Sequence, residues 1–384
     1  MASVKQMGMK GLLLWPNLAT MPGTVYFPHR PGATDMDSVS VYVGIDYHSD
    51  SVRVCVLDQD GNPLFNRSLT NSVGTVIEAV QSVAQKIIVQ GVALEACTGS
   101  AEFASQLAQT TGWPVRLAHA GAVHRLKQGP DKTDHGDAWH LANLLRVKYL
   151  PEVWLADEHT RQLRHLIRYR QALMADAKDV KLRIRSLLKE DCIAETCSAT
   201  PWTKTWLAWL AEAALPEHSR WIIQEQLALL AHLEEKIADV DQRMKTITAD
   251  DPVVQKLLEQ AEVGLVTAML LRAVIGSFQR FRSGKQLSRY CGVTPCNASS
   301  GKRQADSGLV LAGHDDLRAA LIQLAKRLPR TEARWREFKD RMRPRKPANV
   351  IAAAIANRWL RRLYHEMVPA PGQAVGVAEA GVAA

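Results

Sequence analysis

The sequence has no uninterrupted apolar run of the roughly 18 residues that a membrane-crossing helix needs. The nearest approach, Gly11 to Pro28, is broken by Pro16, Asn17 and Pro22. Its N-terminal apolar stretch is only Leu12 to Trp15, short of the roughly 7–15 residues of a secretory leader, so a cytoplasmic protein is expected. Cysteine is scarce, six in 384 residues, which argues against a disulfide framework. Cys192/Cys197 and Cys291/Cys296 share a four-residue gap but lack matching histidines, so no zinc site is expected there. Carboxylates are sparse in one long segment. Arg272 to Tyr364 hold 21 Lys/Arg against six Asp/Glu, a net of +15, so the remainder carries −6 of the total of +9. A strongly basic segment joined to an acidic-leaning one suggests a polyanion for the basic part. With 47% hydrophobic and 23% charged residues, wholesale disorder is excluded, and the length predicts two or three domains.

Residues 1–37 contain Pro16, Pro22, Pro28 and Pro31 and no sustained period, and read as a loose extension; Met36 is an alternative start to Met1. Regular alternation begins at Val39, Val41, Val43 and Ile45, followed by strands at Val52 to Leu57 and Leu64 to Leu69. A helix is predicted over 71–87, then a strand in "GVALEA", a helix in "AEFASQLAQTTG", a strand in "PVRLAHA" and a helix in "DHGDAWHLANLLRVKYL". Three meandering strands followed by alternating helix and strand predict an RNase H-like α/β domain over 38–150. Leu166, Leu173, Ala177, Val180, Ile184 and Leu187 form a heptad seam, and a second long helix runs from Leu215 to Ile247. Residues 151–250 therefore read as a helical hairpin or coiled-coil linker. The segment 251–366 is basic and mostly helical, and 367–384 is a low-complexity tail expected to be disordered.

Asp46 ends the first strand and Glu95 the fourth, while Asp134 and Asp137 open a helix and share one of its faces. Paired hard cations need several anionic oxygen ligands, and acids at strand ends and a helix start converge at one edge of such a sheet. His135 and His140 flank Asp137, with His140 read as a helix-surface residue. In "CGVTPCNASSGKRQADSG", Ser299 and Ser300 precede Gly301, Lys302 and Arg303 in a loop between helical segments. A serine attacking a phosphodiester needs an exposed hydroxyl and nearby cations. Arg161, Arg164, Arg168 and Arg170 decorate the first long helix, and Arg341, Arg343, Arg345 and Lys346 form a basic loop around Pro344 and Pro347; both are candidate phosphate contacts. Trp202, Trp206, Trp209 and Trp221 are expected to pack between helices rather than stack on bases.

"GIDYHSDSVRVCVLDQDG", "EACTGS", "RLKQGPDKTDHGDA" and "YCGVTPCNASSGKR", in this order, resemble the DEDD transposases of bacterial insertion sequences. That is the insertion sequence one-ten and eleven-eleven family, related to the Piv/MooV-type invertases; the resemblance covers residues from about 40 to 365. It implies an N-terminal RuvC-like domain, a coiled-coil linker and a mostly helical C-terminal transposase domain carrying a serine. On it, Asp46, Glu95, Asp134 and Asp137 are the ligands of Mg²⁺ or Mn²⁺, and Ser300 the nucleophile, with Ser299 the alternative. The implied activity is cutting and rejoining DNA through a covalent serine link, guided by a structured bridge RNA. The implied assembly is a dimer to tetramer in a bacterial, nucleoid-associated setting, with donor and target DNA as partners. Two positions depart from the family's pattern: Ala261-Glu262-Val263-Gly264 replaces a Pro-Gly-Ile-Gly-type turn, and Leu311 and His314 flank Gly313 in place of Lys and Asn. A RuvC-like nuclease or junction resolvase would need the acids but no serine, and a non-catalytic nucleic-acid-binding protein would need neither.

Overall fold

A computed structural model describes residues 38–127, 134–194, 196–297, 306–310 and 313–368. The chain divides into two compact units, residues 1–153 and 154–384. The first is built on a six-stranded sheet of order β3-β2-β1-β4-β5-β6. Strands β1 (Val39–Tyr47), β2 (Ser51–Leu57) and β3 (Pro63–Thr70) form an antiparallel meander. Strand β4 (Ile87–Glu95) runs parallel to β1, β5 (Val115–Ala118) parallel to β4, and β6 (Glu152–Val153) antiparallel to β5. Val41, Val43, Ile45, Val52, Val54 and Val56 are fully buried, as expected of central strands covered on both faces. This is the mixed sheet of an RNase H-like domain, as predicted.

Helices α1 (Val73–Gln81), α2 (Ser100–Thr111), α3 (Ala120–Leu126) and α4 (Asp134–Arg146) accompany the sheet. The predicted helix over 71–87 stops early because Ser82 closes it, and Ile87, Ile88 and Val89 instead pair with Val39, Ser40 and Val41. Helix α3 and strand β6 are too short to show a hydrophobic period and were not expected from the sequence.

The second unit starts with a helical hairpin. Helix α5 (Glu158–Glu190) begins where the Asp157 Oδ1 accepts from the Thr160 amide at 2.7 Å, a side-chain cap for an otherwise orphan donor. Short helix α6 (Lys204–Glu212) leads to α7 (Glu217–Ile247). The pairs Arg170–Asp241, Lys181–Glu234 and Arg183–Gln226 step in opposite directions along α5 and α7, so the two run antiparallel. Leu173, Ala177, Val180 and Ile184 are buried as the heptad predicts, but at the ends Leu163, Ile167 and Leu188 are buried while Leu166 and Leu187 are only partly so. Among the tryptophans, Trp202, Trp206 and Trp209 pack together with ring centroids 4.7 and 5.7 Å apart. Trp221 differs: it is 61% exposed.

Helices α8 (Pro252–Leu258), α9 (Leu265–Ile275) and α10 (Gly284–Tyr290), strands β7 (Pro295–Asn297) and β8 (Asp306–Leu309), and helices α11 (Asp315–Thr331), α12 (Ala333–Met342) and α13 (Ala348–Met367) complete the unit. Its apolar core is continuous from Leu163 on α5 to Tyr364 on α13, so the hairpin and the basic helical region share one interior. Asp251 and Arg272 form a largely buried ion pair within it at 2.8 Å. Breaking such a pair from one side strands a buried charge and costs roughly 3–5 kcal/mol. No helix among the described residues is long and apolar enough to cross a membrane.

Candidate metal centre and nucleic-acid surface

The candidate metal centre is positioned by a close approach of α4 to the sheet. A Cβ placed on Gly44 would lie 2.0 Å from the Ala138 carbonyl oxygen and 2.5 Å from the Ala142 amide nitrogen, so only glycine fits here. Side chains alternate across a strand, so Tyr42, Gly44 and Asp46 share the face that α4 covers. On β4 the same face carries Gly91, which a Cβ would bring to 3.1 Å from Leu145, then Ala93, which packs with Leu141, then Glu95. The helix therefore descends from Leu145 over mid-sheet to its N-terminus over the strand ends. The register Gly44↔Ala93 and Ile45↔Leu94 sets Asp46 beside Glu95 on strands about 4.8 Å apart.

Asp137 sits one residue before Ala138 and so comes down near the same edge. Its Oδ1 accepts from the Lys127 ammonium at 2.6 Å, with both side chains mostly shielded. The Asp46 Oδ2 lies 3.3 Å from His48 Nε2, and Arg53 stands opposite Asp46 in the β1–β2 register. The Cys97 thiol reports the crowding of negative charge: burial pushes it up, hydrogen bonds from Ser100 oppose this, and the carboxylates of Glu95 and Asp46 add to the rise. Asp46 and Glu95 thus stand on adjacent strand ends, and Asp137 lies in the first turn of the helix that covers that face. Asp134 opens α4 one turn before Asp137; its carboxylate, like His135, lies outside the described part of the structure.

The donor set, oxygen-only carboxylates on one face, fits a hard divalent cation. Among the described residues no three Asp, Glu, His or Cys side chains are gathered tightly enough to enclose an ion. His140 is half-buried rather than a surface residue; burial and then the Lys127 charge hold its imidazole below the usual histidine range, against the pull of Asp137. All six cysteines are free, and burial pushes the Cys55 and Cys291 thiols up to about 12.

In the second unit the serine segment is not a simple loop between helices. Strands β7 and β8 pair antiparallel on either side of it, while Ser299, Ser300, Lys302 and Arg303 lie outside the described residues. The arginines of α5 divide by use. Arg161 donates to the Ala156 carbonyl at 2.6 Å, Arg164 donates to the Ala273 carbonyl at 2.7 Å and lies over Trp154, and Arg170 pairs with Asp241. Arg168 is exposed, as are Arg343, Arg345 and Lys346 in the turn between α12 and α13. Gly44, Lys127 and His48 were not singled out from the sequence. A glycine inside an otherwise β-branched strand was the available signal for the first; the other two pairings depend on tertiary proximity.

Residues 43–193 match a DEDD-type profile described as transposase, and residues 255–340 match the profile of the transposase IS116/IS110/IS902 family. The chain is 30% identical over 284 residues to a probable family 20 transposase of Pseudomonas aeruginosa, covering 71% of this chain and 82% of that protein. It is 24% identical over 328 residues to the transposase for insertion sequence element IS1328 of Yersinia enterocolitica, covering 83% and 94%. It is also 24% identical over 290 residues to the transposase for insertion sequence element IS1111A of Coxiella burnetii, covering 75% and 78%.

Proposed function

The chain belongs to the transposase IS116/IS110/IS902 family, and from that premise we propose that it cuts and rejoins DNA with a carboxylate-bound divalent cation centre and a serine nucleophile. The observation that supports this reading is the placement of Asp46 and Glu95 on adjacent strand ends below the start of α4, whose first turn carries Asp137. These three, with Asp134, would hold Mg²⁺ or Mn²⁺. Such a cation supplies Lewis-acid polarisation of a phosphoryl oxygen. The chain's own groups shape the site: Gly44 lets α4 approach the sheet closely, and the Lys127 ammonium holds the Asp137 carboxylate in place.

Ser300, with Ser299 as the alternative, is the nucleophile. Its Oγ forms a bond to phosphorus as one phosphodiester P–O bond breaks, and the departing deoxyribose oxygen leaves with a proton. The serine–phosphate link keeps the bond energy for rejoining. Exposed Arg168, Arg343 and Arg345, together with Lys302 and Arg303 of the serine segment, supply phosphate contacts to DNA or to a structured bridge RNA. The α5–α7 hairpin exposes Tyr169, Met174, Leu182, Trp221, Ile222 and Leu229. Apolar exposure concentrated on one helical pair supports self-association through a coiled-coil-like contact.

The test is to mix the protein with Mg²⁺ and element-end DNA, quench, and analyse the 298–305 peptide by mass spectrometry. A nucleotide adduct on Ser300, lost in Ser300→Ala, is expected. Strand cleavage that persists in both Ser300→Ala and Ser299→Ala makes the protein a hydrolytic RuvC-like nuclease instead.

A further inference from the structure

A groove of about 880 Å³ opens between α13, the start of α10 and the root of the β7–β8 hairpin. Its volume is that of a cleft for one small ligand or a few nucleotide groups. Lys285, Lys346, Arg358 and Arg361 line it, and among the described residues no carboxylate does. Its floor is apolar: Val293, Leu309, Val350, Ala353 and Ala354. The walls are tied together by hydrogen bonds. The Asn357 side-chain amide donates to the Val293 carbonyl at 3.2 Å and to Thr294 Oγ1 at 3.1 Å, and the Ser288 hydroxyl donates to the Asn357 carbonyl at 3.2 Å. α13 and the hairpin root thus form a fixed cleft rather than two independent surfaces.

We propose that this groove binds an unpaired stretch of DNA strand beside the serine segment. The inference rests on the reading that the segment carries the nucleophile. Four cations with no carboxylate among the described lining residues select an anionic polymer. An apolar floor is of no use to a duplex, whose bases are stacked away and whose outer surface is phosphate and sugar. It rewards a strand whose base faces or deoxyribose rings are free to enter. With no aromatic ring among the described lining residues, base faces rest on aliphatic side chains and on the planar guanidinium of Arg361, while Lys285 and Lys346 take phosphates. Pro295 and Gly308, one on each strand that brackets residues 298–305, belong to the same groove. Ser300 is three residues along the chain from Asn297, no more than roughly 10 Å of extended backbone. A strand seated in the groove therefore runs alongside β7 and β8, the two strands that flank residues 298–305.

The experiment is fluorescence anisotropy of the full chain with a labelled 12-nucleotide single strand and, separately, with the duplex it forms with its complement. Ala354→Trp fills the floor; Val350→Glu places a repelling charge at a position 48% exposed, where it does not disturb the core. Each is expected to weaken single-strand binding at least tenfold and to change duplex binding less than twofold. In the Lys285→Ala/Lys346→Ala double variant, the slope of log affinity against log salt for the single strand should fall by about 1.4, at about 0.7 per phosphate released. Unchanged single-strand affinity in Val350→Glu, an equal loss on duplex, or an unchanged slope overturns the proposal. Because anisotropy needs no cleavage, failure of the serine adduct leaves this result readable, and a groove that binds no strand leaves the adduct test untouched.

Discussion

The two units differ in how they use charge. Residues 1–153 hold 12 Lys/Arg against 13 Asp/Glu, and residues 154–384 hold 36 against 26. In the first, a nearly neutral unit places carboxylates at one sheet edge, where the Lys127 ammonium pairs with Asp137. In the second, much of the positive charge is spent inside the fold: Arg164 on a backbone carbonyl, Arg170 on Asp241, Arg272 on Asp251 and Arg362 on Glu332. Net charge therefore overstates the surface available to phosphate. Among the exposed cations available to it are Arg168, the α12–α13 turn and those lining the groove.

The division of labour can be broken from either side. The largest effect is expected at the carboxylates. Asp46→Asn or Asp137→Asn should slow strand cleavage by about a thousandfold, since the charge stabilisation removed is several kcal/mol at 1.36 kcal/mol per tenfold. DNA binding measured by gel shift should stay within about threefold; parallel loss of binding would mean that the acids serve the fold rather than the reaction. Next comes Gly44→Ala, which forces α4 off the sheet. Overpacking of this kind costs about 1–3 kcal/mol, and urea melts should show it. Retention of full stability would show that α4 does not depend on this contact. The smallest effect belongs to the exposed turn: Arg343→Ala/Arg345→Ala should lower the salt slope of duplex binding by about 1.8, at about 0.9 per phosphate, while leaving urea stability unchanged. An unaltered slope removes that turn from the nucleic-acid surface.

Much of this was legible in the sequence because the relevant signals are local. Alternation up to Ile45 followed by an acid marks a strand end, and "VALE" marks another; their adjacency then follows from the meander-then-alternation order. The middle of the α5 seam is legible for the same reason, since Leu173, Ala177, Val180 and Ile184 repeat at heptad spacing. Its ends are not, because an undistorted helix drifts about 20° per heptad away from a strict repeat. This drift moves burial from Leu166 to Leu163 and Ile167, and from Leu187 to Leu188. The arginines of α5 could not be sorted by sequence, since a guanidinium on a long stem reaches either solvent or a buried carbonyl. Strands β7 and β8 are three and four residues long, below the length at which a period of two can be seen. Lys127 and Asp137 lie ten residues apart across the 128–133 segment, and nothing in their spacing announces an ion pair.

The claim that the first unit is a carboxylate cation site, separate from the serine chemistry of the second, is tested most directly by isothermal titration of Mn²⁺ into the full chain. Wild-type protein and Ser300→Ala should bind the cation alike, and Asp46→Asn and Glu95→Gln should each weaken binding at least tenfold. Equal binding by all four proteins would contradict the account.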